Sequence, residues 1–249
     1  MLTVTVVMPC YNEAGRLQTE RLLRFVDDHP QVTVVLVNDG SSDGTAALLD
    51  RLAEQSSRIH PLHLTENRGK ANAVQAGFVY AERFETDCIG FLDADFDIPP
   101  EEILLLLESL ERHPDAEFAF GSRIKLLNNT IERNVYRHLF GRVFATFTSN
   151  SLELAVYDTQ CGVKLFRRAL ALEVFARPFI SRWVFDVEVF WRVISLRGRA
   201  TVSTVAREVP LRACFNNGAS KISYRAMLKF PFELSRIKRH YARHSAETW

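Results

Sequence analysis

Three aspartates, Asp93, Asp95 and Asp97, alternate with Ala94 and Phe96 directly after the apolar run 88–92. In the loop at the end of a strand, such carboxylates can converge on one hard divalent cation, which takes oxygen ligands and bridges to phosphate oxygens. A solvated acidic loop is the commoner meaning of this spacing, so the triplet gains weight only from its neighbours. Three other polar loops precede it. The first is Pro9-Cys10-Tyr11-Asn12-Glu13, the second Asn38-Asp39-Gly40-Ser41-Ser42-Asp43-Gly44-Thr45, and the third Asn67-Arg68-Gly69-Lys70. Each has a plainer alternative. Asn-Asp-Gly-Ser-Ser-Asp is good turn and helix-cap chemistry, and Asn-Arg-Gly-Lys can be a charged turn.

The elements that must position these loops follow from the hydrophobic pattern. Strand-like runs at 3–8, 32–37, 59–64, 88–92 and 117–120 alternate with helical spacing over 16–26, 45–53, 70–84 and 99–110. Continuous apolar strands separated by helices predict an α/β fold with a mainly parallel central sheet flanked by helices. In such sheets ligands bind at the carboxyl ends of the strands, near the switch in strand order. All four polar loops fall at such ends. Beyond Ser122 the alternation weakens. The spacing there predicts a long amphipathic helix over 134–156, a helix over 185–196 and a strand over 201–210.

Composition narrows the function classes. With 249 residues, 47% of them hydrophobic, the chain can bury the core of one α/β domain. A formal net charge of +1 argues against a nucleic-acid partner. Cys10, Cys88, Cys161 and Cys214 form no C-x-x-C pair and read as buried thiols of a reducing compartment. The N-terminus lacks the basic start and cleavage site of a signal peptide, and no apolar run approaches the ~20 residues of a membrane span. A cytoplasmic protein is expected, with peripheral contact to the inner face of the membrane still open. In the tail, Lys221, Arg225, Lys229, Arg236, Lys238, Arg239 and Arg243 outnumber Glu233 and Glu247, and Phe230, Phe232, Leu234, Ile237 and Tyr241 interleave with them. Such a basic amphipathic segment can lie on an anionic leaflet. Val135, Leu139, Phe140, Val143, Phe144 and Phe147 form a second stripe. Core packing is the commoner reason for that stripe, and oligomerisation is the main rival to membrane contact.

As a set, the four loops resemble the nucleotide-sugar half of glycosyltransferase family 2, whose members have the GT-A (Rossmann-like) fold, over residues 3–124. Further segments closely resemble the dolichyl-phosphate β-glucosyltransferases. These are Asp158-Thr159-Gln160-Cys161-Gly162-Val163-Lys164-Leu165-Phe166, Arg182-Trp183-Val184-Phe185-Asp186-Val187-Glu188, and Glu208-Val209-Pro210 with Gly218-Ala219-Ser220-Lys221. The resemblance implies a GT-A domain over 1–221 with a tail over 222–249. It implies inverting transfer of a hexose, expected to be glucose from UDP-glucose, to a polyprenyl phosphate. By the same resemblance Pro9, Tyr11, Asn12 and Glu13 line the nucleoside pocket, and Asp39 lies near the base or ribose. Asp93 lies near the ribose and metal. Asp95, with Asp93 and Asp97, holds Mg2+ or Mn2+, which acts as a Lewis acid on the diphosphate. Lys70 approaches the nucleotide or is simply a solvated helix start.

A lipid phosphate is already anionic, so its use needs no general base, only cations to hold it. Arg123 is the first candidate. Arg133 and Arg137 are similar to the phosphate-contacting positions of polyprenyl-phosphate mannosyltransferases, and arginine suits bidentate phosphate contacts. Arg133 and Arg137 share one face if their segment is helical. A solvated basic face is the alternative. Asp158, Gln160 and Lys164 mark the glucosyl-like segment, and Cys161 reads as a packed thiol. Asp186 is a candidate to position sugar hydroxyls or a loop arginine, and Trp183 and Phe185 read as core. Two other functions stay open: a glycosyltransferase acting on a hydroxyl acceptor, for which no Glu-Asp base pair is evident, and a catalytically silent nucleotide-sugar-binding protein. The second would be expected to have lost the metal carboxylates. The sequence separates neither UDP from GDP nor one oligomeric state from another.

Overall fold

The computed structural model describes residues 1–131, 135–182, 184–215 and 224–244, with backbone alone at 135–143, 224–229 and 243–244. In chain order the elements are β1 (Val4–Cys10), α1 (Thr19–Asp28), β2 (Val32–Asp39), α2 (Thr45–Gln55), β3 (Ile59–Leu64), α3 (Lys70–Ala81), β4 (Cys88–Leu92) and α4 (Glu102–Arg112). There follow β5 (Phe118–Ser122), β6 (Thr130–Ile131), α5 (Val135–Leu152), β7 (Val163–Arg167), α6 (Arg168–Phe175), α7 (Phe185–Arg197), α8 (Val202–Val205), β8 (Ala206–Pro210), β9 (Ala213–Cys214) and α9 (Tyr224–His244).

Seven strands form one sheet in the order β3-β2-β1-β4-β7-β5-β8, and β6 pairs with β9 beside it. β1 pairs in parallel with β2 and β4, β2 with β3, and β5 with β8. β7 runs antiparallel to both its neighbours, β4 and β5. Successive side chains of a strand point to opposite faces, and both faces are covered. Val7, Val35, Val37, Phe91, Phe118 and Phe166 pack with α3, α6 and α7. Val6, Val34, Leu36, Leu92, Ala119 and Leu165 pack with α1, α2 and α4. This two-sided burial is why the strands read as unbroken apolar runs. The mainly parallel sheet flanked by helices is as expected.

Three features differ from the sequence expectation. β7 and α6 were not anticipated. The run 201–210 divides into a turn of 3-10 helix (Arg199–Thr201), α8 and β8. Its β-branched residues favour a strand, but Val202 and Val205 are buried from a helical backbone, so tertiary packing overrides local preference. The interleaved apolar residues of the tail belong to the core: Phe230, Leu234, Ile237 and Tyr241 of α9 are all buried. Tyr241 Oη donates to Glu188 Oε1 at 2.9 Å and accepts from Arg192 Nε at 3.1 Å. Phe232 alone of the tail aromatics named above is exposed, at 76%. Among the described residues no helix is long and apolar enough to cross a membrane.

Candidate active site

The strand order reverses between β1 and β4, so the loops following these two strands flank the switch in the sheet where α/β ligands sit. After β1, Asn12 adopts a left-handed backbone (φ 54°) that asparagine tolerates. Its N–H donates to Ser41 Oγ at 3.0 Å, its Oδ1 accepts from Ser42 N–H at 3.0 Å, and Glu13 N–H donates to Thr45 Oγ1 at 2.8 Å. The first two loops are therefore sewn together. Glu13 is buried and its Oε2 accepts from Arg16 Nε at 2.9 Å. Tyr11 stands 41% exposed beside them. Asp39 is buried, and its two oxygens accept from the backbone N–H of Arg68 (2.7 Å) and Gly69 (2.9 Å). It thus moors the third loop to the second. Gly40 has φ 61°, and a Cβ there would meet the Glu66 backbone carbonyl carbon at 2.3 Å. Only glycine allows these two loops to approach so closely.

After β4 the aspartate loop turns through Phe96, which is buried and has φ 52°. A bulky residue in that region is strained, and such strain collects at functional sites. Asp93 N–H donates to Gly162 O at 3.1 Å. Asp93 Oδ1 faces Lys70 Nζ at 2.5 Å. The contact is an ion pair rather than a directed hydrogen bond. Burial, then repulsion from Asp95, pushes the Asp93 carboxyl up, against the pull of Lys70. Lys70 begins α3 and is held protonated by Asp93, Asp186 and Asp95, which overcome the loss of hydration. Asp95 is exposed by area, yet lost hydration is still the largest influence on it. Asp97 and Glu13 also raise it, and the Asp97 N–H, which donates to its Oδ1 at 3.1 Å, lowers it. Among the described residues no three carboxylate, histidine or cysteine side chains gather closely enough to hold a cation by themselves. Asp93, Asp95 and Asp97 follow one another along this loop, with Asp93 lying against Lys70.

The cations expected at an acceptor phosphate are placed differently. Arg123 follows β5, and its guanidinium is already occupied: Nε donates to Asp158 Oδ2 at 2.7 Å and Nη2 to Asp158 Oδ1 at 2.9 Å. Nη2 also reaches Gln160 O at 3.1 Å. Arg123 therefore braces a loop rather than presenting an open fork. Arg133 lies outside the described residues, as do Trp183 and Lys221, and Arg137 is described only as part of the α5 backbone. The loop that Arg123 grips is held from behind by Glu208, whose carboxylate accepts from Tyr157 N–H (2.9 Å) and Asp158 N–H (2.8 Å).

Sequence reasoning passed over the role of a buried pair. Lys164, in the middle of β7, is 0% exposed; its Nζ lies 2.5 Å from Asp186 Oδ1 and 2.8 Å from Cys161 O. A lysine inside the apolar strand Val163-Lys164-Leu165-Phe166 was the available signal, since lysine is almost never fully buried unpaired. Gly162 lies within the glucosyl-like segment 158–166, where nothing local marks its role. A Cβ there would stand 2.3 Å from Asp93 Oδ2. Cys161 is buried, and burial pushes its thiol up to about 12, an inert packed side chain.

A mainly parallel sheet with one antiparallel strand, and strand-end loops carrying an aspartate triplet at the switch point, is the architecture of the GT-A glycosyltransferases. The chain belongs to glycosyltransferase family 2: the model of "Glycosyl transferase family 2" matches residues 5–175. It is 30% identical over 251 residues to a dolichyl-phosphate beta-glucosyltransferase of Trichomonas vaginalis, covering 96% of this chain and 73% of that protein. It is 31% identical over 193 residues to a polyprenol monophosphomannose synthase of Mycolicibacterium smegmatis, covering 76% and 71%. The crystal structure of glucosyl-3-phosphoglycerate synthase from Mycobacterium tuberculosis with Mn2+ and UDP-glucose superposes with a TM-score of 0.68 at 15% identity. The match covers 96% of this chain and 79% of that one; at that identity it shows the shared fold.

Proposed function

We propose that this glycosyltransferase is an inverting enzyme that moves a hexose, glucose from UDP-glucose, onto a polyprenyl phosphate at the inner face of the membrane, using Mg2+ or Mn2+. The observation that carries the reading is the set of sewn polar loops at the β1/β4 switch, with Lys70 and Asp93 paired and Asp95 open to solvent. Relatives named for transfer to dolichyl phosphate and to polyprenol phosphate support the acceptor class.

The residues fit a divalent cation. Asp95 has one backbone N–H on Oδ1 and free oxygen lone pairs beyond it. Magnesium-type sites in phosphate chemistry use one or two carboxylates, with substrate phosphates and water supplying the rest. Asp95, helped by Asp93 and Asp97, would hold the ion, which supplies Lewis-acid neutralisation of the departing nucleoside diphosphate. The chain's own groups do the remainder. Tyr11, Asn12 and Glu13, with Pro9 behind them, line the nucleoside side, and Asp39 shapes it through the loop it moors. Lys70, released from Asp93, places a cation toward the diphosphate. Arg133 and Arg137 receive the acceptor phosphate, and Arg123 fixes the loop that carries Asp158. The exposed Phe232, Arg236 and Arg239 of α9 are the surface offered to the membrane.

One geometric fact favours a phosphate over a hydroxyl acceptor. Outside the aspartate loop, three carboxylates of the described residues are engaged: Asp158 by Arg123, Asp186 by Lys164, and Glu208 by two backbone N–H groups. A carboxylate whose oxygens already accept hydrogen bonds has fewer lone pairs left for a substrate hydroxyl, and an anionic nucleophile needs no base. The test is transfer by purified protein from labelled UDP- and GDP-sugars to a polyprenyl phosphate. The expected product is a lipid-linked sugar, extractable into organic solvent and cleaved by mild acid. Label found only in protein or water-soluble glycan would overturn the acceptor and promote the hydroxyl alternative.

A further inference from the structure

Lys164 is buried to 0% exposure in the centre of the sheet, between strands that carry Phe91 and Phe120 at its sides. Taking an ammonium out of water costs several kcal/mol before any pairing. An apolar residue of similar length would fill the same space without that cost, so packing alone does not account for the cation. Its contacts point to the donor end of the site. Nζ grips Asp186 Oδ1 at 2.5 Å and the Cys161 carbonyl at 2.8 Å, and lies 5.2 Å from the centre of the Phe91 ring.

Each contact leads to Asp93. Phe91 is two residues before it on β4. Cys161 precedes Gly162, whose carbonyl accepts the Asp93 N–H at 3.1 Å. The bare Cα of Gly162 lies so close to the carboxylate that a Cβ would overlap Oδ2 at 2.3 Å. Asp186, in the first turn of α7, acts electrostatically on Lys70 and on Asp93. Unbalanced, its charge would compete with Asp93 for Lys70. Lys164 is therefore linked to Asp93 by two routes, one through the backbone of Cys161 and Gly162 and one through Asp186.

We propose that Lys164 is a positioning residue of the donor site, a buried cation that seats Asp93 on Gly162 and balances Asp186. This rests on the reading that Asp93 meets the nucleotide or its cation. The test compares wild type with Lys164→Met/Asp186→Asn, which removes both charges together and keeps volume and charge balance. UDP binding in the presence of Mn2+ is measured by calorimetry, and both proteins are crystallised without nucleotide. The expected result is UDP affinity at least tenfold weaker, with the melting transition still cooperative and the Asp93 carboxylate displaced from Gly162. Should the double variant fail to fold, Lys164→Leu/Asp186→Leu, apolar at both positions and without a donor to Cys161 O, gives the same two readings. Unchanged affinity, or an Asp93 that superposes on wild type, overturns the inference and leaves Lys164 a structural residue. Wild type that binds neither UDP nor GDP overturns the donor reading instead, and the position of Asp93 in the two crystals still decides the role of Lys164.

Discussion

Asp158 fills the guanidinium fork of Arg123, with Nε–Oδ2 at 2.7 Å and Nη2–Oδ1 at 2.9 Å, and the Arg123 backbone N–H reaches the same Oδ2 at 3.1 Å. The pair is mostly buried, the arginine side chain being 27% and the aspartate 9% exposed. Asp158→Ala should therefore destabilise the fold by about 3 kcal/mol, since it removes charge-assisted bonds and leaves a largely buried cation unpaired. Urea unfolding checks this. A loss below about 1 kcal/mol would show that the guanidinium finds water or another acceptor.

With Arg123 so engaged, Arg133 and Arg137 are the cations proposed for the acceptor phosphate. Arg133→Ala should weaken use of the lipid phosphate roughly tenfold to a hundredfold, the worth of a charge-assisted contact of about 1.5–3 kcal/mol. UDP binding should be nearly unchanged. Lysine should rescue only in part, because it lacks the planar fork. Nucleotide affinity falling as far as acceptor use would move Arg133 to the donor side.

Asp95 has few protein partners, so its replacement should leave the fold intact. Asp95→Asn should lower transfer by roughly three orders of magnitude, the several kcal/mol that a bound cation contributes to stabilising a developing diphosphate. Chelation of divalent cations should do the same to wild type. Full activity of either would end the metal-dependent reading.

Gly162→Ala puts a Cβ 2.3 Å from Asp93 Oδ2, so the carboxylate must turn away. A misplacement of about 1 Å near reacting groups costs roughly a hundredfold in rate. That is the expected loss here, with little change in melting temperature. Gly15→Ala, where nothing lies within 4 Å, is the matched control and should be neutral. Equal activity of the two variants would separate Asp93 from catalysis.

Asp87 Oδ2 accepts from Thr3 N–H and Thr3 Oγ1, both at 2.8 Å, which joins the start of β1 to the start of β4 and holds this carboxyl below its ordinary value of 3.8. A depressed folded-state value means that the unfolded chain binds the proton more readily. The stabilisation is then complete above 3.8 and is lost as pH falls below it. Asp87→Ala should melt lower than wild type at neutral pH, and the gap should close in acid. A gap that is constant from pH 7 to pH 2.5 would contradict the assignment.

Much of this was legible in the sequence. The parallel core and the four loops followed from unbroken apolar runs ended by turn residues, a local signal. β7 was not legible because Lys164 interrupts its apolar run, and nothing local says that a lysine will be paired in the core by Asp186, 22 positions away. The tail misled for the converse reason. Phe230, Leu234, Ile237 and Tyr241 have the spacing of an amphipathic helix, and spacing cannot say whether lipid or protein covers the apolar face. In the aspartate loop the residue types were visible, but the contacts of Asp93 with Lys70 and with Gly162, which precedes the neighbouring strand, are tertiary and leave no local signal.

The antiparallel strand β7 sits between β4 and β5 in space but follows α5 in the chain. Until residues 163–167 have been synthesised, no β7 exists to cover the edge of β4 that faces away from β1. At about 5–20 residues per second that interval lasts several seconds. A bare edge on an apolar strand is a template for pairing with other chains. The arrival of β7 ends that exposure and, in the same step, brings Gly162 under Asp93. The strand that covers this edge of β4 is thus also the one whose preceding residue, Gly162, accepts the Asp93 N–H.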